Sequence, residues 1–414
     1  MTSTSVIQPA LDIAAIRSQF PILHREVKGK PLVYFDNAAT AQKPQVVIDA
    51  LVNYYSHYNA NIHRGIHTLA EEATAGFEAT RDAFRQFVNA RHREEIIITK
   101  GTTESINLVA YTWARQQLQA GDEVIISGME HHSNIVPWQI ICAEKQASLK
   151  VIPVDDNGEL VLEEYYKLLS PSTKLVSVVH VSNALGTVNP VKDIIASAHN
   201  VGAKVFIDGA QSAVHLDIDV QELDCDFFAC SVHKLYGPTG VGILYGKKEL
   251  LAEMPVFLGG GEMIKEVSFE QTTYADLPYK YEAGTPNIAD TVATAAALNY
   301  VQEIGKANIR AHEDELLQYA TSRLLTIDGL AIIGRAKEKT SLISFVIDGI
   351  HPQDVGILLD NRGIAVRTGH HCAQPLMARF KIPGTIRASF AVYNTLEEVD
   401  ALLAGLQHAV KLLR

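Results

Sequence analysis

Short runs dense in valine and isoleucine recur through the middle of the chain, as EEIIIT (94–99), DEVIIS (122–127), KLVSVVHVS (174–182), AKVFID (203–208), DFFACS (226–231) and VGILYG (241–246). Between them lie amphipathic stretches such as 71–89, where Phe77, Phe84, Phe87 and Val88 recur at helical spacing. Apolar strands alternating with helices predict an α/β fold, a mostly parallel sheet buried between two helical layers. From about residue 305 the pattern changes. A long helix (306–325), strands at 330–334 and 341–347, and helices at 352–362 and 396–413 predict a smaller α+β domain. Residues 1–25, with Ile13, Ile16 and Phe20 on one face, are expected to pack on that smaller domain. The organisation read from the sequence is therefore 1–25, 26–304 and 305–414. The Gly259-Gly260-Gly261 run and the sparse periodicity over 255–285 predict a long functional loop.

Composition narrows the function classes. A chain of 414 residues has room for a sizeable core and about two or three domains. With 47% apolar and 20% charged residues and a mean hydropathy of +0.05, it reads as globular. Lys and Arg (36) against Asp and Glu (47) leave a net charge of −11, which speaks against nucleic acid or an anionic membrane surface as a partner. No apolar run reaches the roughly 18 residues a membrane span needs, and the N-terminal residues carry no secretory or transit pattern. The expected location is cytoplasmic. Four cysteines without a CxxC pair predict reduced thiols rather than a disulfide framework.

Ligands of open parallel sheets bind beyond the carboxyl ends of the strands, so the polar residues there are the candidates. After 94–99 come Thr102 and Thr103 at the start of a helical segment. They either cap that helix or present free N–H groups to a phosphate. After 122–127 come His131 and His132, compatible with metal binding, ring stacking or a surface loop. Asp208 ends the next strand and can hold a protonated ring nitrogen or cap a turn. Lys234, in SVHKLYGPTG (231–240), directly follows a buried strand, a setting that suits a desolvated amine acting as a nucleophile toward an aldehyde. A phosphate site, a ring-nitrogen acid, a stacking histidine and an amine together describe a pyridoxal phosphate pocket.

In these residues the sequence resembles fold-type I pyridoxal-phosphate enzymes of the class V aminotransferase group, and within it the SufS-like (group II) cysteine desulfurases. The motifs are FDNAAT (35–40), IHRGIHTLA (62–70), GTTESINLVA (101–110), EHHSNIVPW (130–138), VSNALGTVNP (181–190), IDGAQ (207–211), SVHKLYGPTG (231–240), EAGTPN (282–287) and RTGHHCAQP (367–375). They run along essentially the whole chain.

The resemblance implies pyridoxal 5'-phosphate as cofactor and Lys234 as its Schiff-base lysine. It implies Asp208 at the pyridinium nitrogen, Gln211 at the ring hydroxyl and His131 stacked on the ring and moving protons. Thr102, Thr103, Ser231 and His233 would cradle the phosphate, with Thr285 reaching in from the partner subunit of a homodimer. Asn183 and Arg387 would bind the substrate carboxylate, Arg367 would lie beside it, and His63 would border the pocket. Cys372 would be the thiol that takes sulfur from L-cysteine, leaving L-alanine and a persulfide. A cationic turn between Arg367 and Arg379 favours its thiolate.

The short His-flanked cysteine segment implies a SufE-like acceptor, with SUF scaffold proteins and iron–sulfur cluster assembly downstream. Residues 255–285 and 370–375 are candidate docking faces. Three consecutive residues, His370-His371-Cys372, rarely converge on one tetrahedral ion, so no metal is expected there. His63 and His67 share a helical spacing but lack the HExxH glutamate. The alternatives on the same scaffold are a selenocysteine or cystine C–S lyase that does not use Cys372, an aminotransferase for another amino acid, and a non-catalytic subunit.

Overall fold

The computed structural model describes residues 11–414. The expectation for residues 1–10 lies outside the described residues. Seven strands form the main sheet: β1 (Ile96–Thr99), β2 (Glu123–Ser127), β3 (Ser148–Ile152), β4 (Thr173–Val179), β5 (Lys204–Asp208), β6 (Phe227–Ser231) and β7 (Gly242–Gly246). Their order is β1-β7-β6-β5-β4-β2-β3, and only β7 runs antiparallel to its neighbours. The central strands β5, β6 and β7 are almost wholly buried, as their continuous apolar runs require when helices cover both faces. At the edge, β3 is half-exposed and alternates poorly, so its sequence carries no strand signal.

Helices close the two faces. Thr68–Phe87 begins three residues before the amphipathic pattern suggested. It buries Ala70, Ala73, Phe77, Phe84 and Phe87 along one stripe, and the His67 ring accepts from the Ala70 N–H at its start. The helix Ile288–Ile304 left no clear periodicity because its Ala- and Thr-rich sequence is buried on several sides. The stretch 255–285 is not one loop. It holds a hairpin pairing Ile264–Val267 with Thr272–Tyr274.

The C-terminal part forms an antiparallel sheet of β8 (Leu330–Ile333), β9 (Leu342–Ile347), β10 (Arg367–Gly369) and β11 (Thr385–Ser389), in the order β8-β9-β11-β10. The helices Lys306–Leu324, Pro352–Asp360 and Leu396–Leu413 cover it. A capping box between Thr395 and Glu398 starts the last of these. Val33 and Phe35 pack in this C-terminal core, and Val33–Tyr34 pairs in parallel with Ile364–Ala365.

The N-terminal segment touches both units. Ile16, Phe20 and Leu23 belong to the core of the main sheet rather than to the C-terminal core. Phe20 meets the rings of Tyr236, Tyr300 and Tyr393 at centroid distances of 6.0, 5.8 and 4.6 Å. Arg17 reaches across to Glu398 at 2.7 Å and to the Tyr393 carbonyl at 3.0 Å. The segment thus ties the two units together, because an aromatic side chain buried between them satisfies both. Replacing Phe20 by Ala is expected to cost about 3–5 kcal/mol of stability, read as a lower denaturation midpoint.

Candidate active site

Beyond the carboxyl ends of the parallel strands lies a cavity of about 210 Å³. Its walls include Thr102, Thr103, His131, Asn183, Asp208, Gln211, Ser231, His233, Lys234, Arg367, Cys372 and Arg387, twelve of the fourteen residues singled out in the sequence.

The other two lie elsewhere. His63 does not border this cavity. It faces a second cleft, held by Glu78 at 3.0 Å and flanked by Arg64 and Glu262. Its segment leads into the helix Thr68–Phe87, and its backbone N–H is held by Thr74 Oγ1 of that helix at 2.9 Å. Thr285 is exposed on its own chain, three residues past Glu282, which is clamped by the buried Arg81 at 2.6 and 2.8 Å.

The floor is built by the sheet. Asp208, the last residue of β5, is buried and accepts one hydrogen bond from the Ala210 N–H (2.9 Å). Burial raises its pKa, against the pull of that N–H and of Lys234. One strand over, β6 ends at Ser231 and a single 3₁₀ turn presents Lys234. Burial lowers the Lys234 pKa to about 8; Asp208 opposes this, and Arg387 adds to it.

The turn is fixed from behind. The His233 carbonyl accepts from the Ala41 N–H (3.0 Å), Thr40 Oγ1 (3.1 Å) and Lys43 Nζ (3.1 Å). The His131 ring accepts from the Ser133 N–H at Nδ1 (3.1 Å), and burial followed by Lys234 lowers its pKa to about 4. It is neutral at pH 7, with its proton on Nε2.

At the opposite wall, the helix Thr102–Val109 begins at Gly101, whose φ of +145° is a backbone conformation that residues with a side chain rarely adopt. A Cβ there would stand 3.2 Å from Ser231 Oγ, which itself accepts from the Thr102 N–H at 2.8 Å. Small hydroxyl residues and a glycine therefore meet at a helix N-terminus, an arrangement that suits an anion.

Two arginines come from the C-terminal sheet. Arg367 and Arg387 face each other across β10 and β11, a like-charge pair that needs a counter-ion. Asp36 supplies it, at 3.0 Å from Arg387 and 3.7 Å from Arg367. Arg387 also donates to the Asn183 carbonyl at 2.8 Å. Burial lowers the Arg387 pKa, with Asp36 opposing. Among the described residues, Arg387 Nε, Asn183 Oδ1 and His371 Nδ1 are buried without a hydrogen-bond partner. These orphaned atoms all belong to the cavity wall, which marks this end for a polar ligand group.

Cys372 sits on the loop between β10 and the helix Gln374–Arg379. His371 and Cys372 are both left-handed, with φ of +51° and +56° after Gly369 at +112°. Two successive non-glycine residues in that region cost of order 1–3 kcal/mol each, so the loop needs anchors. Asn183 Nδ2 donates to the His371 carbonyl (2.7 Å), and the buried His371 ring bonds Thr385 Oγ1 at 2.8 Å. The other cysteines, Cys142, Cys225 and Cys230, are buried, and burial pushes their thiols upward, to about 11 for Cys142 and about 12 for Cys230.

Sequence reading gave no role to Asp36, Ala38, Ala39, Ser133, Val179 or His371, which belong to the cavity wall or to its ion pairs. The FDNAAT run carried the signal for the first three, since it sets an acid and small residues at one turn.

Residues 33–402 match the profile of the class-V aminotransferase family. The chain is 54% identical over 396 residues to a cysteine desulfurase of Synechococcus elongatus, covering 96% of this chain and 63% of that protein. It thus spans less than two thirds of that relative, and of two mycobacterial relatives at 58% and 64%. A cysteine desulfurase of Cronobacter sakazakii is 52% identical, covering 98% of this chain and 100% of the relative. Among solved structures, the cysteine desulfurase CsdA of Escherichia coli, in an S-sulfonic acid form, superposes with a TM-score of 0.91 at 40% identity, over 98% of this chain and 100% of the other.

An amine with a pKa of about 8 reacts with aldehydes through its neutral form. Trapping of Lys234 in the ligand-free chain by an aldehyde and borohydride should accelerate about tenfold per pH unit below 8 and level off above it. The mass of the peptide carrying Lys234 reports the rate. A titration near 10 would contradict the burial argument.

Proposed function

The chain belongs to the class-V aminotransferase family, and on that premise we propose that it is a pyridoxal-phosphate-dependent cysteine desulfurase of the SufS-like kind. Pyridoxal phosphate is the cofactor of this fold-type I family. The observation that carries the desulfurase reading is that a thiol, Cys372, and a buried amine, Lys234, line one cavity.

The cavity suits the cofactor. The Gly101 turn with Thr102, Thr103, Ser231 and His233 would cradle its phosphate, Asp208 would hold its ring nitrogen, Gln211 its ring hydroxyl and His131 its ring face. Thr285, exposed on its own chain, is assigned to the cradle of a partner subunit in a homodimer. When bound, the cofactor supplies an aldehyde that captures the substrate amine and a ring that delocalises the electron pair left at Cα.

The chain's own residues do the rest. Arg387, with Asn183 and Arg367 beside it, binds the carboxylate of L-cysteine. Lys234, with roughly a tenth of its amine neutral at pH 7, accepts the Cα proton. The neutral His131 passes protons above it. The Cys372 thiolate attacks the substrate sulfur; an S–S bond forms, the C–S bond breaks and its electron pair stays with carbon, which takes a proton. L-cysteine and the Cys372 thiol thus become L-alanine and a Cys372 persulfide, with no outside oxidant.

A loop anchored on both sides does not carry that persulfide far. This supports transfer to a SufE-like acceptor docking at residues 370–375, and onward to SUF scaffold proteins for iron–sulfur cluster assembly. L-selenocysteine, with the same carboxylate and amine, is a second substrate of the proposal. The division into 26–304 and 305–414 is part of the same reading, supported by the two separate sheets, although Val33 and Phe35 cross between them. Four unpaired cysteines support a reducing, cytoplasmic setting. No described helix is long and apolar enough to cross a membrane.

With reductant present, the wild-type chain is expected to release alanine and sulfide from L-cysteine, and Cys372→Ala to release neither while still binding cofactor. Products from both would establish a direct C–S lyase instead. Arg387→Ala should raise the KM for cysteine by roughly 10–100-fold, the worth of a lost charged hydrogen bond of about 1.5–3 kcal/mol. An unchanged KM would remove Arg387 from the carboxylate site.

A further inference from the structure

His131 and His132 are neighbours in sequence, but only His131 lines the cavity. The His132 ring turns toward the cysteine loop. Its backbone N–H donates to the Cys372 carbonyl at 2.7 Å, and its ring Nε2 accepts from the Gln374 N–H at 3.1 Å. One residue therefore holds the chain at Cys372 and again two residues later. We propose that His132 is a positioning residue for the Cys372 thiol, an inference that rests on the desulfurase reading above.

The loop has two anchoring sides. Toward β10, the His371 carbonyl and ring are fixed by Asn183 and Thr385. Toward the helix Gln374–Arg379, the residue before the helix offers no side-chain cap, and the His132 ring takes the N–H of its first residue. Between these anchors lie His371 and Cys372, both left-handed, which relax toward ordinary backbone once either side is released.

The acceptor role requires an unprotonated Nε2. The groups facing the ring are His131 and His370, at centroid distances of 6.3 and 6.2 Å. Burial, then His370, lowers the pKa of His132 and favours the neutral ring, and the Gln374 N–H selects the tautomer with Nε2 unprotonated.

The test compares His132→Ala, His132→Leu and His132→Gln in the cofactor-loaded protein. Glutamine can place an acceptor oxygen near the position of Nε2; alanine and leucine cannot. Two readouts are taken: the rate of Cys372 alkylation by iodoacetamide, followed by peptide mass, and kcat and KM for L-cysteine. The Ala and Leu proteins should alkylate at least about threefold faster and lose at least about tenfold in kcat, with KM within about twofold, while Gln stays near wild type.

Unchanged alkylation in Ala and Leu would overturn the proposal. So would a Gln protein as impaired as Ala, which would mean that the ring itself is needed. If the Ala protein fails to fold, Leu against Gln makes the same comparison. If wild type releases no alanine from cysteine, the desulfurase reading falls, and the alkylation series still decides whether His132 holds the thiol.

Discussion

The site depends on the burial of one amine. Lys234 stands within reach of a carboxylate, Asp208, yet its pKa moves down rather than up, because desolvation and the two arginines outweigh that attraction. A cation held this way is costly unless its carboxylate partner is held rigidly in good geometry. The sheet supplies that rigidity. Asp208 pairs in register with Ala229, two residues before the end of β6, and the turn that follows is held by three donors on the His233 carbonyl. The residues supplying those donors come from 40–43, a segment reached only because the chain between 33 and 36 first crosses to the C-terminal core.

The C-terminal unit contributes the opposite half of the same arrangement. Arg387 and Arg367 are cross-strand neighbours, an unfavourable pair on a bare sheet. Asp36, carried on the crossing segment, neutralises one of their two charges. Its partly solvated side chain and the orphaned Arg387 Nε leave the pair short of acceptors. A ligand carboxylate meets that shortfall without any new charge having to be buried alone. The strained turn at His371 and Cys372 is stable for a related reason: the loop's polar groups find partners on β11 and on the strand-end loops at the same time.

The sequence made the main sheet legible wherever a strand is buried on both faces. The runs at 122–127, 203–208 and 226–231 lie within one or two residues of β2, β5 and β6. It was silent where burial is partial or uniform. β3 is half-exposed, β11 is a five-residue strand interrupted by Arg387, and Ile288–Ile304 is apolar on several sides, so none has a diagnostic period. Within the site, the polar residues after each strand were readable from topology, because that is where a parallel sheet leaves unfilled backbone. The pairing of Asp36 with two arginines was not readable, since 351 residues separate it from Arg387. His63 misled because sequence proximity to a motif says nothing about which side of a helix its loop faces. The segment 11–25 shows a further limit: its apolar face was clear, but Phe20 fits between two units, and a face does not name both of its partners.

The charge of the whole chain and that of the cavity have opposite signs. The sequence carries a net −11, whereas Lys234, Arg367 and Arg387 face Asp208 and Asp36 around the cavity, three cationic groups against two carboxylates. A low-dielectric cleft concentrates the field of its own lining, so a small anionic group is drawn to it at short range. At longer range the surface repels polyanions, and salt screens that repulsion beyond about 8–10 Å. The combination suits a small ligand bearing a phosphate or a carboxylate. The same excess of positive charge surrounds Cys372, so whatever leaves the site on that sulfur departs from a cationic wall toward an acidic exterior.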